Sequence, residues 1–254
     1  MSTNKKVRVG AVSYLNTKPL IYGFEHGLMK DEIELINDYP ARIAAMLLND
    51  EIDVGLVPVA IVPEMKEWHI ISDYCIGADG AVASVCLFSE TPLENVEKVL
   101  LDYQSRTSVA LAKVLLREYW KISPELIDAK EDFRDHINGT TAGLVIGDRA
   151  LRQRKISPYI YDLASAWKAH TGLPFIFAAW FSNKTLDPDF ITSFNNANKL
   201  GLDNIDEVVR LNPFEVFDLK KYYTDCIDYN LDKRKQQGMD LFLNKLPALE
   251  PGLY

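Results

Sequence analysis

Short apolar runs that stop at a turn signal and hand over to a helix-type stretch repeat along this chain, and they constrain its fold more than any other feature. Val7 to Ser13 is one such run, closed by Asn16-Thr17-Lys18-Pro19, with Pro19 suited to the first turn of a helix running toward Gly27. Glu32 to Asp38 alternates through Ile33 and Leu35 as a second strand. Pro40 opens a helix with Ile43, Ala44, Leu47 and Leu48 on one face. Asp53-Val54-Gly55-Leu56-Val57 reads as a buried strand, followed by Pro58 and a short helix to Met65. Strand, helix, strand, helix, strand is the rhythm of a parallel α/β sheet.

A second α/β unit follows. Ala81 to Ser89 reads as a longer strand broken by Thr91-Pro92, then Val99-Leu100-Leu101 as strand and Ser105 to Tyr119 as helix. Gly143 to Gly147 is another buried strand, with a short helix from Asp148 to Arg154. The apolar run Leu173 to Phe181 is expected to return to the first unit. Helices are expected over Pro188–Leu202, Asn204–Arg210, Pro213–Tyr223 and Leu231–Leu243. The favoured reading is a two-lobed α/β chain with a ligand cleft between lobes. Lobe 1 takes residues 1–90 and 175–254, and lobe 2 is an insertion over 91–174. A single doubly wound domain with a helical tail is the alternative. In both, ligands sit beyond the carboxyl ends of parallel strands.

Composition narrows the function. With 254 residues and 48% hydrophobic content, the chain can bury roughly 70–75% of its unfolded surface, so disorder is a poor fit. Acidic residues exceed basic ones by 36 to 28, a net charge of −8. That balance opposes nucleic-acid and anionic-membrane binding, which need a basic surface. It also means that any anionic ligand must be captured by local groups. No segment approaches the ~20 apolar residues of a membrane helix, and the polar start from Met1 to Lys6 lacks a signal-peptide core, so a cytoplasmic location is expected. Cys75, Cys86 and Cys226 lack metal-type spacing and read as reduced thiols.

Few residues stand out as chemistry. Ser13-Tyr14-Leu15-Asn16-Thr17 lies between a strand and a helix, where side chains face a crevice; a helix-capping turn is an equal reading. Ser84 lies within the apolar Ala81–Ser89 run, where a core hydroxyl is the simpler interpretation. Ser105-Arg106-Thr107-Ser108 opens a helix, and its hydroxyls and free amides suit a carboxylate or phosphate while also serving as an N-cap. Gly147-Asp148 ends a strand at a helix start, where Asp is a common cap. His26, His69, His136 and His170 lack metal-ligand spacing, and nucleotide-loop and nucleophile-elbow motifs are absent.

These segments carry a resemblance. Val9-Gly10-Ala11-Val12-Ser13-Tyr14-Leu15-Asn16-Thr17-Lys18-Pro19-Leu20 resembles the opening motif of the chorismate dehydratases of the futalosine route to menaquinone (the MqnA family). Asp53 to Val59, Gly80 to Val85 through Ser89-Glu90-Thr91-Pro92, Leu101 to Ser108, Ile146 to Ala150 and Thr171 to Trp180 resemble later blocks in the same order. The resemblance implies a type II periplasmic-binding-protein-like fold used in the cytoplasm. It implies dehydration of chorismate, an anionic small molecule, to 3-[(1-carboxyvinyl)oxy]benzoate, with no metal or organic cofactor. It further implies Asn16 and Ser84 as catalytic residues. Ser13, Tyr14, Ser105, Arg106, Thr107, Ser108, Gly147 and Asp148 are the substrate-binding candidates. One departure is that Ser165-Ala166, rather than acidic residues, precede Trp167. Two rivals remain: a non-catalytic module binding a small carboxylate, and the related synthase of the same route, whose opening Ser-Pro-Cys-Pro-Asn-type motif differs from Ser-Tyr-Leu-Asn here.

Overall fold

The computed structural model describes residues 5–249. The chain builds one sheet, leaves it to build a second, and returns. β1 (Val7–Val12), β2 (Ile33–Asp38), β3 (Val54–Pro58) and β4 (His69–Ala78) belong to the first sheet. β5 (Val85–Ser89), β6 (Lys98–Leu101), β7 (Glu125–Asp128), β8 (Thr141–Ile146) and β9 (Tyr159–Asp162) form the second. β10 (Phe175–Ser182) and β11 (Asp228–Asn230) rejoin the first. The strand orders are β11-β4-β10-β3-β1-β2 and β7-β6-β8-β5-β9. β2, β1 and β3 run parallel, as the strand–helix rhythm requires, because α1 (Lys18–Glu25) and α2 (Pro40–Leu48) carry the chain back between them. β10 and β4 then add antiparallel, and the second sheet mixes parallel β7-β6-β8 with antiparallel β5 and β9.

Two expectations need correction. The strand expected over Ala81–Ser89 begins only at Val85, and it pairs with β8 and β9. The change of sheet therefore falls in the segment 79–84, ahead of the boundary read at residue 90, and Ser84 lies on that crossing rather than in a strand. The helix expected over Pro213–Tyr223 is also much shorter. Asp218 accepts from the Lys221 amide at 3.0 Å, capping a helix that starts only at Leu219, and the chain then widens into a π-turn over Tyr222–Cys226.

The remaining helices are α3 (Arg106–Leu115), α4 (Gly147–Gln153), α5 (Leu163–Thr171), α6 (Pro188–Asp203), α7 (Ile205–Leu211), α8 (Leu219–Lys221) and α9 (Lys233–Lys245). Every residue of β10 is buried, since it is central in its sheet and helices cover both faces. Trp167 of α5, Phe175 of β10 and Phe242 of α9 pack edge to face behind the seam between the sheets. On the other side, α1 and α6 meet almost backbone to backbone: a Cβ on Gly201 would lie 1.9 Å from the Pro19 carbonyl oxygen. That contact fixes the start of α1, and with it the turn that carries Asn16. Among the described residues no helix is long and apolar enough to cross a membrane.

Candidate functional site

The loops at the carboxyl ends of β1, β3, β6 and β8 converge on a cavity between the sheets. Its floor is apolar, from Val12, Pro58, Ile76, Val82, Ile146 and Phe177. Its polar atoms come from Tyr14, Asn16, Ser84, Ser105 and Ser108. Among the described residues, none of the lining side chains is Asp, Glu, His, Lys or Arg. Whatever binds here meets hydroxyls and an amide rather than ions.

Ser84 is pressed toward the cavity by a constrained loop. Ala83 holds φ +63, a left-handed backbone that costs a non-glycine residue roughly 1–2 kcal/mol. The Asp162 carboxylate compensates by accepting the amides of Val82 at 3.2 Å and Ala83 at 2.8 Å, while also capping α5. The Ser84 carbonyl accepts the Gly147 amide at 2.8 Å, joining the two loops. Ser84 Oγ accepts a hydrogen bond from the Tyr222 hydroxyl at 2.7 Å. Asn16 is set from behind in a similar way: its carbonyl accepts the Tyr229 hydroxyl at 2.8 Å. Both tyrosines are buried, and burial pushes both phenols above their ordinary range.

At the start of α3, Ser105 Oγ accepts the Ser108 amide at 3.2 Å and donates to Ser108 Oγ at 2.8 Å. The N-cap reading is thus met, and the Ser108 proton is left without an acceptor among the described residues. Thr107 and Arg106 face elsewhere. Thr107 Oγ1 accepts the Ala60 amide at 3.1 Å, and Arg106 pairs with Glu64 at 2.5 Å. Both are contacts between the two halves of the molecule, outside the cavity wall. Asp148 likewise spends Oδ1 on the Leu15 amide at 3.2 Å, and burial raises its pKa. It orients the Tyr14–Asn16 turn. Ser13 is exposed and lies off the cavity.

Tyr14 closes the site. Its ring lies over Gly147, whose φ of +62 is a left-handed backbone that favours glycine. Its hydroxyl donates to Gln104 Oε1 across the seam. Gln104 also accepts from Arg149 at 2.8 Å, and Arg149 is paired with the buried Asp102 at 2.8 Å. Burial keeps the Asp102 carboxyl above its ordinary value despite that partner. Sequence reasoning missed Tyr222, Tyr229, Asp162 and Gln104, because each acts through a fold contact far along the chain and none belongs to a local motif. Among the described residues no group of three or more His, Cys, Asp or Glu side chains is placed to hold a metal ion.

Known proteins share both the sequence and the architecture. The chorismate dehydratase of Thermus thermophilus is 26% identical over 263 aligned positions, covering 94% of each chain. That of Campylobacter jejuni is 25% identical, covering 94% of this chain and 97% of the relative. Among solved structures, a protein of Archaeoglobus fulgidus superposes with a TM-score of 0.78 at 15% identity, over 96% of this chain and 97% of that one. A Candida albicans protein described as having the generic periplasmic binding protein fold superposes with a TM-score of 0.65 at 13% identity, over 98% and 92%. The fold is therefore that of the periplasmic binding proteins. A family model described as menaquinone biosynthesis matches residues 7–248, so the chain belongs to the menaquinone biosynthesis family.

Proposed function

We propose that this chain is a cytoplasmic hydro-lyase that dehydrates chorismate to 3-[(1-carboxyvinyl)oxy]benzoate. The observation that carries the reading is a largely apolar cavity whose polar side chains, among the described residues, are neutral hydrogen-bonding groups, in a chain that matches two chorismate dehydratases over nearly its full length. Elimination makes the ring aromatic and is strongly downhill. A ring C–H bond and the ring C–OH bond break, a third ring double bond forms, and the proton leaves with the hydroxyl as water. The departing proton is vinylogous to the ring carboxylate, so charge develops on that carboxylate. Ser108 and the amides at the start of α3 would stabilise it. Ser84 and Asn16 would orient the ring and hydrogen-bond the leaving hydroxyl.

Among the described residues no ionisable carboxylate, imidazole or amine lines the cavity, and the base in this reading is the substrate's own side-chain carboxylate. The two sheets then act as two lobes hinged at the crossings 79–84 and 172–174. The Tyr14–Gln104 contact shuts them to exclude water and hold one reactive conformer. The test is to incubate the purified protein with chorismate and follow products by mass and ultraviolet absorbance. Unchanged chorismate with folded protein overturns the proposal. Ser84→Ala and Asn16→Ala are each expected to lower kcat about tenfold or more with an unaltered melting temperature.

A further inference from the structure

Ser84 is held by a residue almost 140 positions away, Tyr222. The Tyr222 side chain has no solvent exposure, Ser84 has 1%, and their oxygens are 2.7 Å apart. The phenol belongs to the π-turn Tyr222–Cys226, which Ile227 closes by donating its amide to the Tyr222 carbonyl at 3.0 Å. Tyr222 and Tyr223 are both buried. Phe217 packs edge-on against the Tyr222 ring, with centroids 6.1 Å apart, and the Tyr223 ring lies beside it. Aromatic neighbours thus set the ring, and the ring sets where its hydroxyl points.

A hydroxyl has one proton and two lone pairs. Because Tyr222 donates to Ser84 Oγ, one lone pair of Ser84 is occupied from behind, inside the protein. No described protein group accepts the Ser84 proton, and the remaining side of Ser84 is a wall of the cavity. A phenol is a stronger donor than an aliphatic hydroxyl, so the pair is polarised toward Ser84, and accepting one hydrogen bond makes Ser84 a better donor of its own.

We propose that Tyr222 is the positioning residue that turns Ser84 into a hydrogen-bond donor aimed into the cavity. This rests on the dehydratase reading above. Without the phenol, Ser84 can rotate and donate to a backbone carbonyl of its own loop, as serine hydroxyls readily do. With the phenol, the proton goes to a substrate oxygen, the leaving hydroxyl in the elimination. Tyr222 touches no substrate atom; it acts through Ser84.

The experiment is a double-mutant cycle with chorismate as substrate, using Tyr222→Phe, Ser84→Ala and the double variant. Wild-type turnover is measured first, and its absence defeats the dehydratase reading itself. If the wild type turns over, Tyr222→Phe is expected to lower kcat about tenfold, the order of one hydrogen bond, with KM changed less than about twofold. In the Ser84→Ala background the same substitution is expected to have no further effect on kcat, because the group it acts through is gone. A residue needed only for packing would lower both backgrounds alike. The proposal is overturned if Tyr222→Phe keeps wild-type kcat, if it raises kcat, or if its effect is the same with and without Ser84. Should Tyr222→Phe fold poorly, Tyr222→His, which can restore a donor at that position, is compared with Tyr222→Leu at a temperature where both are folded. A higher kcat for the histidine variant supports the proposal, and equal kcat values overturn it.

Discussion

At the scale of single residues, the site is assembled by spending backbone energy where a side chain has to point. Ala83 is the clearest case. Its left-handed φ would be free of strain for glycine, yet the position carries a Cβ, and Asp162 accepts its amide and that of Val82. Replacing Ala83 by Gly relieves roughly 1–2 kcal/mol of strain but returns about 0.4–1 kcal/mol of freedom to the unfolded chain. The difference is about 1 kcal/mol in favour of glycine. Ala83→Gly is therefore expected to leave stability within about 1 kcal/mol of wild type by urea denaturation. It is expected to lower kcat severalfold, because Ser84 loses a fixed approach to the cavity. A stability change larger than that, with full activity, would mean that the loop's conformation does not serve the site.

At the scale of elements, what could be read from the sequence follows from how burial shows in a linear pattern. β1, β3 and β8 are covered on both faces, so each is a continuous apolar run, and all three are readable. β7, β9 and β11 lie at or near sheet edges, are four residues or fewer, and are largely polar or exposed, so nothing local announces them. β4 is ten residues long yet was not anticipated. Ser72 and Asp73 interrupt its pattern, and its pairing with β10 shifts register twice, which destroys a period of two. The cavity shows the same division. Tyr14, Asn16, Ser105 and Ser108 sit at strand-to-helix turns and are visible as motifs, whereas Tyr222 and Tyr229 reach the site only through tertiary packing. One element contact carries a direct consequence. α1 follows the Asn16 turn and lies against α6 through Gly23 and Gly201, where a Cβ would meet backbone oxygen at 2.2 and 1.9 Å. Backbone cannot yield as a flexible side chain does. Gly201→Ala is thus expected to force the helices apart and to destabilise the protein by about 3 kcal/mol, at the upper end of overpacking costs. Thermal unfolding and kcat are expected to fall together, and an unshifted melting temperature would contradict this packing.

At the scale of the whole molecule, charge sets both the acid limit of stability and the way a ligand arrives. Asp53 joins β3 to Arg8 of β1 at 3.0 Å and to Lys184 after β10 at 2.7 Å. Burial opposes its charge, but those partners hold its carboxyl well below the usual range. Glu118 is brought down to about 2: burial again opposes, and Lys245, Arg117 and His170 outweigh it. A carboxylate with a depressed folded pKa stabilises the fold fully above its unfolded value near 4, and that contribution is lost as pH falls through the folded value. Stability to urea is therefore expected to hold from pH 7 to about 5 and to drop steeply below 4. Asp53→Asn is expected to flatten that drop while losing about 1.5–3 kcal/mol at neutral pH.

Ligand capture runs against the same charge. A net charge of −8 repels a dianion at a distance. Close to the cavity, the Arg149 charge is paired with Asp102 at 2.8 Å rather than left to attract an anion. In the proposed reading, attraction starts only at contact, from Asn16, Ser84, Ser108 and the start of α3. Salt of about 0.15 M shortens the reach of surface charge to about 8 Å, which weakens the repulsion and leaves the contact donors untouched. Raising salt from about 0.01 to 0.15 M is accordingly expected to leave kcat/KM for chorismate unchanged or to raise it slightly. A steep fall over that range would require a basic approach to the cavity, and the Asp102–Arg149 pair would then be the first place to look for a cation that opens when the lobes part.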